Sequence, residues 1–359
     1  MARRIATLIA TGSVLALSLI GIAPAQAGHG VTTVAQGLDS PRGLAFAPDG
    51  SLYVAESGRG GTGPCFTGPE GGTVCFGRTG AVTRVKNGWQ EQVITRLPSI
   101  ANQGAGTNAI GPSDVAFHGS GKPYITVGLG ADPALRNELP KLGKDASGWL
   151  LRGDRHGDWW NIADVAGYEA RVNPDEGVPD SNPNSVVATG KGQVVADAGG
   201  NSLVRVAPNG RITTLATFPT RIVGGIPMQS VPTSVVRGPD GAYYVGELTG
   251  FPFAPGAARV YRVVPGMAPT IYAEGFTNII DLGFGKDGKL YVLEIATNGL
   301  LSGDPTGALI RVGGDGSQHI VMSDGLTTPG GLTFKGHAAY VSNCGTCAGT
   351  GSVLRIPLS

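Results

Sequence analysis

One phrase recurs six times along this chain: an apolar entry, in most copies Pro-x-x-Leu or Pro-x-x-Val, a glycine-bearing turn, Leu-Tyr-Val or a relative of it, and then a strand carrying an arginine. In the first copy Pro41-Arg42-Gly43-Leu44 leads to Asp49-Gly50, Leu52-Tyr53-Val54 and Arg84. The turn glycine returns at Gly50, Gly121, Gly192, Gly241, Gly288 and Gly336, and the arginine at Arg84, Arg152, Arg205, Arg262, Arg311 and Arg355. A unit of roughly 50 residues with about four short strands cannot bury its apolar surface alone, and such units pack side by side as blades. The expected fold is all-β: a six-bladed β-propeller forming one domain over residues 28–359.

The strands can be placed from their β-branched, alternating character. Innermost strands are expected at Leu44–Phe46, Val115–Phe117, Val186–Ala188, Val235–Arg237, Leu282–Phe284 and Leu332–Phe334. Second strands follow at Leu52–Glu56, Tyr124–Val127, Val194–Asp197, Tyr243–Glu247, Leu290–Glu294 and Ala339–Asn343. One outer strand, Val31–Ala35, is left over at the front, and the last blade lacks its own. The N-terminal strand should therefore complete the sixth blade, close the ring and remove two exposed edges. No strong amphipathic helix of any length is expected.

Residues 1–27 read as a signal peptide: Arg3 and Arg4, an apolar stretch from Ile5 to Ile22, and Ala25-Gln26-Ala27 as a small-residue cleavage site. The Arg pair lacks the rest of a twin-arginine motif, so the general secretory route is favoured, to the exterior, periplasm or cell envelope. Removing Arg3 and Arg4 takes the formal charge from +1 to −1. A near-neutral chain with no basic block argues against nucleic acid and anionic membrane surfaces as partners. No second apolar run is long enough to span a bilayer. A monomer is expected. The four cysteines of an exported chain are expected to pair, locally as Cys65 with Cys75 and Cys344 with Cys347. Cross-pairing between the first and last blades, and a redox or metal role for Cys344 and Cys347, stay open.

The turn glycines are 71, 71, 49, 47 and 48 residues apart. The excess lies in Ser57–Arg78, Leu129–Ser147 and Gly167–Ser181, in loop types that open on one face of a propeller. Irregular loops on a rigid scaffold are where function concentrates.

Two sets of acids point at that face. The second strands end in Glu56, Val127, Asp197, Glu247, Glu294 and Asn343, so Asp197, Glu247 and Glu294 are candidate ligand-binding residues. A residue repeated once per blade is equally explained by the packing problem each blade solves. The arginine and tyrosine columns are read as structural on the same ground. What breaks the symmetry is more informative. The position of Gly43 is held by Asp114, Ser185, Ser234, Asp281 and Gly331, and only blades 2 and 5, opposite each other, place an aspartate there. Asp114 and Asp281, with Asn184 and Asn278 near the same rim, are candidates for a cation such as calcium in the central channel, or for ordered water. Phe251 and Phe253 beside Glu247 are candidates for an apolar pocket wall. No Gly-x-Ser-x-Gly elbow, His-rich metal pattern or phosphate-binding glycine loop occurs, which disfavours triad hydrolysis and nucleotide binding.

Several segments resemble the ScyD/ScyE family of exported bacterial proteins: Gly37–Phe46, Pro64-Cys65 with Pro69-Glu70-Gly71 and Cys75, Pro179–Pro183, Ala196–Asn201, Gly246–Phe253, Phe276–Asp281 and Ser342–Cys344. The blade phrase is also similar to NHL-type and lactonase-type propellers. The resemblance implies a secreted or periplasmic six-bladed propeller and no particular activity. The functional expectation is binding of a small ligand, or of an extracellular protein or envelope component, on the loop-rich face. The alternative is a metal-assisted, lactonase-like hydrolase using Asp114, Asp281, Asn184 and the Glu247 region.

Overall fold

Each copy of the repeat forms an antiparallel sheet, because its strands are short, rich in β-branched residues and separated by turns that only glycine accommodates cheaply. Gly50, Gly241 and Gly288 all have φ near +80°, where a Cβ is strained. The structure is a computed structural model that describes residues 30–68 and 71–358. The expected signal peptide at 1–27 lies outside the described residues.

Blade 1 runs Pro41–Phe46, Leu52–Glu56, Thr73–Lys86 and Trp89–Asn102; blade 2 runs Pro112–Phe117, Pro123–Val127, Trp149–Gly153 and Trp159–Asp164. Blade 3 is Pro183–Thr189, Gly192–Asp197, Ser202–Val206 and Ile212–Thr217; blade 4 is Pro232–Arg237, Tyr243–Glu247, Ala258–Val263 and Thr270–Phe276. Blade 5 is Ile279–Phe284, Leu290–Glu294, Ala308–Val312 and Gln318–Met322. Blade 6 takes three strands from the end of the chain, Gly331–Lys335, Ala338–Asn343 and Gly351–Pro357. Its fourth is Thr32–Leu38 from the start, with Thr32 opposite Arg355. The ring closes as the leftover strand required.

The second strands of blades 1, 2 and 5 are buried at every position. A strand covered on both faces must lie between neighbouring blades. The tyrosines show how. Tyr53 packs edge-on to Phe117, Tyr244 to Phe284, and Tyr340 to Phe46, with centroids 4.9–5.0 Å apart, and Tyr291 meets Phe334 at 5.1 Å. Each tyrosine thus docks on a phenylalanine at or next to the end of the innermost strand of the next blade, and Tyr340 carries the pattern across the closure. Such edge contacts add about 0.5–1.5 kcal/mol each beyond area burial.

The arginines brace turns. Arg262 pairs with Asp240 at 2.7 Å and Arg311 with Asp287 at 3.0 Å, each reaching the turn before its own second strand. Arg152 donates to Tyr124 Oη at 2.7 Å.

The insertions are more ordered than a loop reading expects. In blade 1 the third and outer strands extend to fourteen residues each, and Cys65–Thr67 adds a further strand. Cys65 and Cys75 are direct cross-strand partners joined by a disulfide, and Cys344 joins Cys347, so both pairings are local. After Asp164 the chain turns into a helix, Val165–Val172. Asp164 caps it by accepting from Gly167 N–H at 2.8 Å, and Asn173 ends it in the left-handed region, φ 43°. A hairpin of Arg221–Val223 with Ile226–Met228 sits between blades 3 and 4.

Candidate functional site

All the long insertions rise from one face of the ring, as their spacing required, and they wall a funnel of ≈ 1070 Å³ over the central channel. Every blade contributes, from the loop after its second strand or the segment entering its first. Phe66, Ile110, Leu129, Phe251, Phe253 and Leu300 form much of the apolar wall. Asn102, Asn108, Asn182, Asn184, Thr328 and Thr346 supply neutral amides and hydroxyls. Among the described residues the only ionisable side chains in the lining are Arg42 and Asp180. Arg42 donates to Ala109 O at 3.0 Å.

Of the candidate residues read from the sequence, Asn184, Phe251 and Phe253 line the funnel. Phe251 is 61% exposed, an unusual state for a phenylalanine that packing alone would place. Asn184 Nδ2 donates to Thr233 O at 2.7 Å, linking blades 3 and 4 at the rim. Asn278 is fully buried beneath: its Nδ2 donates to Leu248 O and its Oδ1 accepts from Leu300 N–H, at 2.8 and 3.0 Å.

The second-strand acids are brackets within their own blades. Glu56 accepts from Asp39 N–H at 2.7 Å and from Thr83 Oγ1, and Glu294 accepts from Thr277 N–H at 2.6 Å. Asp197 accepts from Asn182 N–H at 2.6 Å and Ser181 Oγ at 2.7 Å. Glu247 accepts from Ser230 Oγ at 2.7 Å and is ion-paired with Arg221. Each carboxylate pins the segment that leads into its blade. The pattern extends to Asn343, whose Oδ1 accepts from Thr327 N–H at 2.8 Å. Burial raises Asp197 to about 6 and Glu294 to about 7.

Asp114 and Asp281 sit deep in the ring but keep part of their surface open to the channel. Asp114 accepts from Val115 N–H at 2.7 Å in its own blade, and from Val186 N–H at 2.8 Å and Ser185 Oγ at 3.0 Å in blade 3. Asp281 accepts from Leu282 N–H at 2.8 Å, Ser234 Oγ of blade 4 at 2.6 Å and Leu332 N–H of blade 6 at 2.6 Å. These two acids join innermost strands of adjacent blades. Gly43 makes room: a Cβ there would lie 2.1 Å from Asp114 Oδ1. Burial, then the charge of Asp281, pushes Asp114 up to about 7, and burial holds Asp281 at about 6. Six donors already aim at their four oxygens, an electrostatic environment built for carboxylate and unfavourable to a cation. Among the described residues no three His, Cys, Asp or Glu side chains form a ready metal cluster.

A second cleft of ≈ 770 Å³ flanks blade 2 and holds Trp149, Trp159 and Trp160, three of the four tryptophans in the chain. The order Trp159-Trp160 on an outer strand was the available signal for it.

Solved structures agree on the architecture. Virginiamycin B lyase from Staphylococcus aureus is similar over 92% of this chain and 99% of its own, with TM-score 0.51 and 12% identity. A gluconolactonase from Xanthomonas campestris is similar over 92% and 89%, with TM-score 0.54 and 12% identity. A Bacteroides thetaiotaomicron protein is similar over 91% and 75%, with TM-score 0.55 and 8% identity. The chain is a six-bladed β-propeller. At such identities the likeness carries the fold and nothing finer. No protein-family model and no curated protein matches the sequence.

Proposed function

We propose that this protein is an exported propeller that binds a small, largely neutral organic ligand in the funnel on its loop-rich face. The observation that carries this reading is the funnel itself: ≈ 1070 Å³, walled by aromatic and aliphatic side chains, with neutral amides and hydroxyls interspersed. That combination suits a ligand of mixed apolar and hydrogen-bonding character, in a volume at the upper end of small-molecule sites. Two local disulfides support an oxidising compartment, and hence the reading of residues 1–27 as a signal peptide. Among the described residues no helix is long and apolar enough to cross a membrane. The closed ring, with blade 6 paired at its outer edge, supports a monomer. The segments quoted above support placing the chain with the ScyD/ScyE proteins.

The test is native mass spectrometry of the purified protein before and after denaturation. A small molecule released on unfolding, retained by the native protein and lost from the double variant F251A/F253A, supports the reading. If the double variant retains the same molecule equally well, the funnel is not its site.

The hydrolase alternative needs Asp114, Asp281, Asn184 and Glu247 to converge on one reacting group. Asn184 lines the funnel, whereas the three acids serve as brackets elsewhere. The geometry therefore favours binding over this route to hydrolysis.

A further inference from the structure

The helix Val165–Val172 has an acid on its inner side. Glu169 is 1% exposed, and its Oε1 is buried with no hydrogen-bond partner. The chain then leaves the helix through Asn173, turns at Asp175–Gly177 and returns at Asp180. Asp180 Oδ1 and Asn173 Oδ1 are also buried and without partners.

Facing Glu169 and Asp180 are two consecutive glycines. A Cβ on Gly199 would stand 2.7 Å from Asp180 Oδ1. A Cβ on Gly200 would stand 2.6 Å from Glu169 Oε2 and 3.4 Å from the Asp180 carbonyl oxygen. Both carboxylates therefore lie over the same glycine pair, a floor that has no room for side chains, and the charge of Asp180 reaches Glu169.

The charges around this point are of one sign. Burial raises Glu169 to about 8, and the charges of Asp197, Asp175 and Asp180 add to it, with no cation opposing them. Asp180 is raised as well, by burial first and then by Asp132 and Asp175. The nearby basic side chains do not reach in: Arg136 is paired with Asp164 at the far end of the helix, and Arg171 is exposed. A sealed carboxylate with neither donor nor counter-ion costs several kcal/mol unless something neutralises it.

We propose that Glu169 and Asp180, with oxygens of Asn173 and the Asp180 backbone, hold a calcium ion against the Gly199-Gly200 floor of blade 3. The donors are all hard oxygens, with no imidazole or thiolate among them, which is the set that calcium takes and zinc does not. Two carboxylates alone do not complete a coordination shell, in keeping with the lack of any three-acid cluster among the described residues. Amide, carbonyl and water oxygens supply the remainder. The site is separate from the channel acids and needs no funnel ligand. It lies beside the funnel all the same, because Asp180 also lines that wall. Calcium there orders the segment that carries Asp180 and Asn182.

The experiment is calcium titration of chelator-stripped protein near pH 8, read by calorimetry and by thermal unfolding. One calcium should bind per chain, and at about a hundred times its Kd it should raise Tm by roughly 3–5 °C. The variants E169Q and D180N should each lose at least about tenfold in affinity. The channel variant D114N should keep the calcium response if it folds; if it does not, S185A serves the same purpose more gently. No heat and no Tm change on adding calcium would overturn the proposal. So would a response that E169Q retains and the channel variants lose, which would place the cation on the axis. A proton in place of calcium would show as an E169Q protein indistinguishable from the parent with or without calcium, and this too would overturn it. All these readouts are made without a funnel ligand, so failure of the ligand reading leaves them intact.

Discussion

Two groups of buried acids lie in the loop-bearing half of the ring, and they are built in opposite ways. On the axis, Asp114 and Asp281 gather six donors between them, four backbone N–H groups of their own and neighbouring blades and two serine hydroxyls. In blade 3, Glu169 has no donor at all and Asp180 keeps an orphaned oxygen beside it. Burial raises the proton affinity of both groups, so a raised pKa does not tell them apart. The census of partners does. An acid surrounded by donors is part of the frame, whereas an acid surrounded by other acids is waiting for something the chain does not provide.

The comparison breaks first at the axis. Replacing Asp281 with Ala leaves Leu332 N–H and Ser234 Oγ without their acceptor, while Leu282 N–H keeps only Ser234 Oγ at 3.0 Å. The expected loss is about 3 kcal/mol or more in urea unfolding, because orphaned buried donors are costly. A loss under about 1 kcal/mol would show that channel water replaces the carboxylate. The opposite sign is expected in blade 3. Without calcium and at pH 7, E169Q should gain about 1 kcal/mol in the same assay, since it removes a carboxyl that folding forces to stay protonated and orphans no donor.

The pH dependence follows from the raised value of Glu169. Folded, it holds its proton up to about 8, against an ordinary value of 4.5. Between these values the folded state binds more protons than the unfolded state, so this group's contribution is fully present at low pH and is lost as pH rises towards 8. Chelator-treated protein should therefore lose stability over that window, and saturating calcium should flatten the loss. Equal slopes with and without calcium would remove Glu169 from the site.

Smaller effects are expected at the surface. F251A and F253A should each weaken the funnel ligand by roughly tenfold while leaving Tm nearly unchanged, Phe251 being exposed already. The smallest effect belongs to Arg262, whose pair with Asp240 is more than a third exposed on both sides. R262A should shift the urea midpoint only marginally, because exposed pairs stabilise little.

The repeat made the ring legible. Tyr53, Tyr244, Tyr291 and Tyr340 recur because each blade presents the same surface to the next, and a recurring contact leaves a recurring letter. The closing strand was legible as a remainder. The blade 1 hairpin was not, since Val74 and Phe76 lie in a stretch that reads as insertion until Ile100 is seen to pair with Phe76. The helix at Val165–Val172 was masked because Asp164, its cap, ends a strand. Phe251, Phe253 and Asn184 were found as departures from the repeat. Glu169 was missed because its sequence neighbours resemble those of any solvated acid. Its lack of partners arises only where the returning Asp180 and the glycines of another strand meet it, and no local pattern records that.

The strand Thr32–Leu38 is among the first parts of the fold to be synthesised, and its partner Gly351–Pro357 is the last. Blades 1 to 5 are contiguous in sequence and can assemble in order, but the ring must stay open until Gly351–Pro357 arrives. Contacts spanning nearly the entire chain are slow to form, because the loop they close is so long. During that interval the free edge of Gly351–Pro357 is a docking place for any other chain's Thr32–Leu38, so at high concentration the same closure that makes a single ring becomes a route to exchanged dimers.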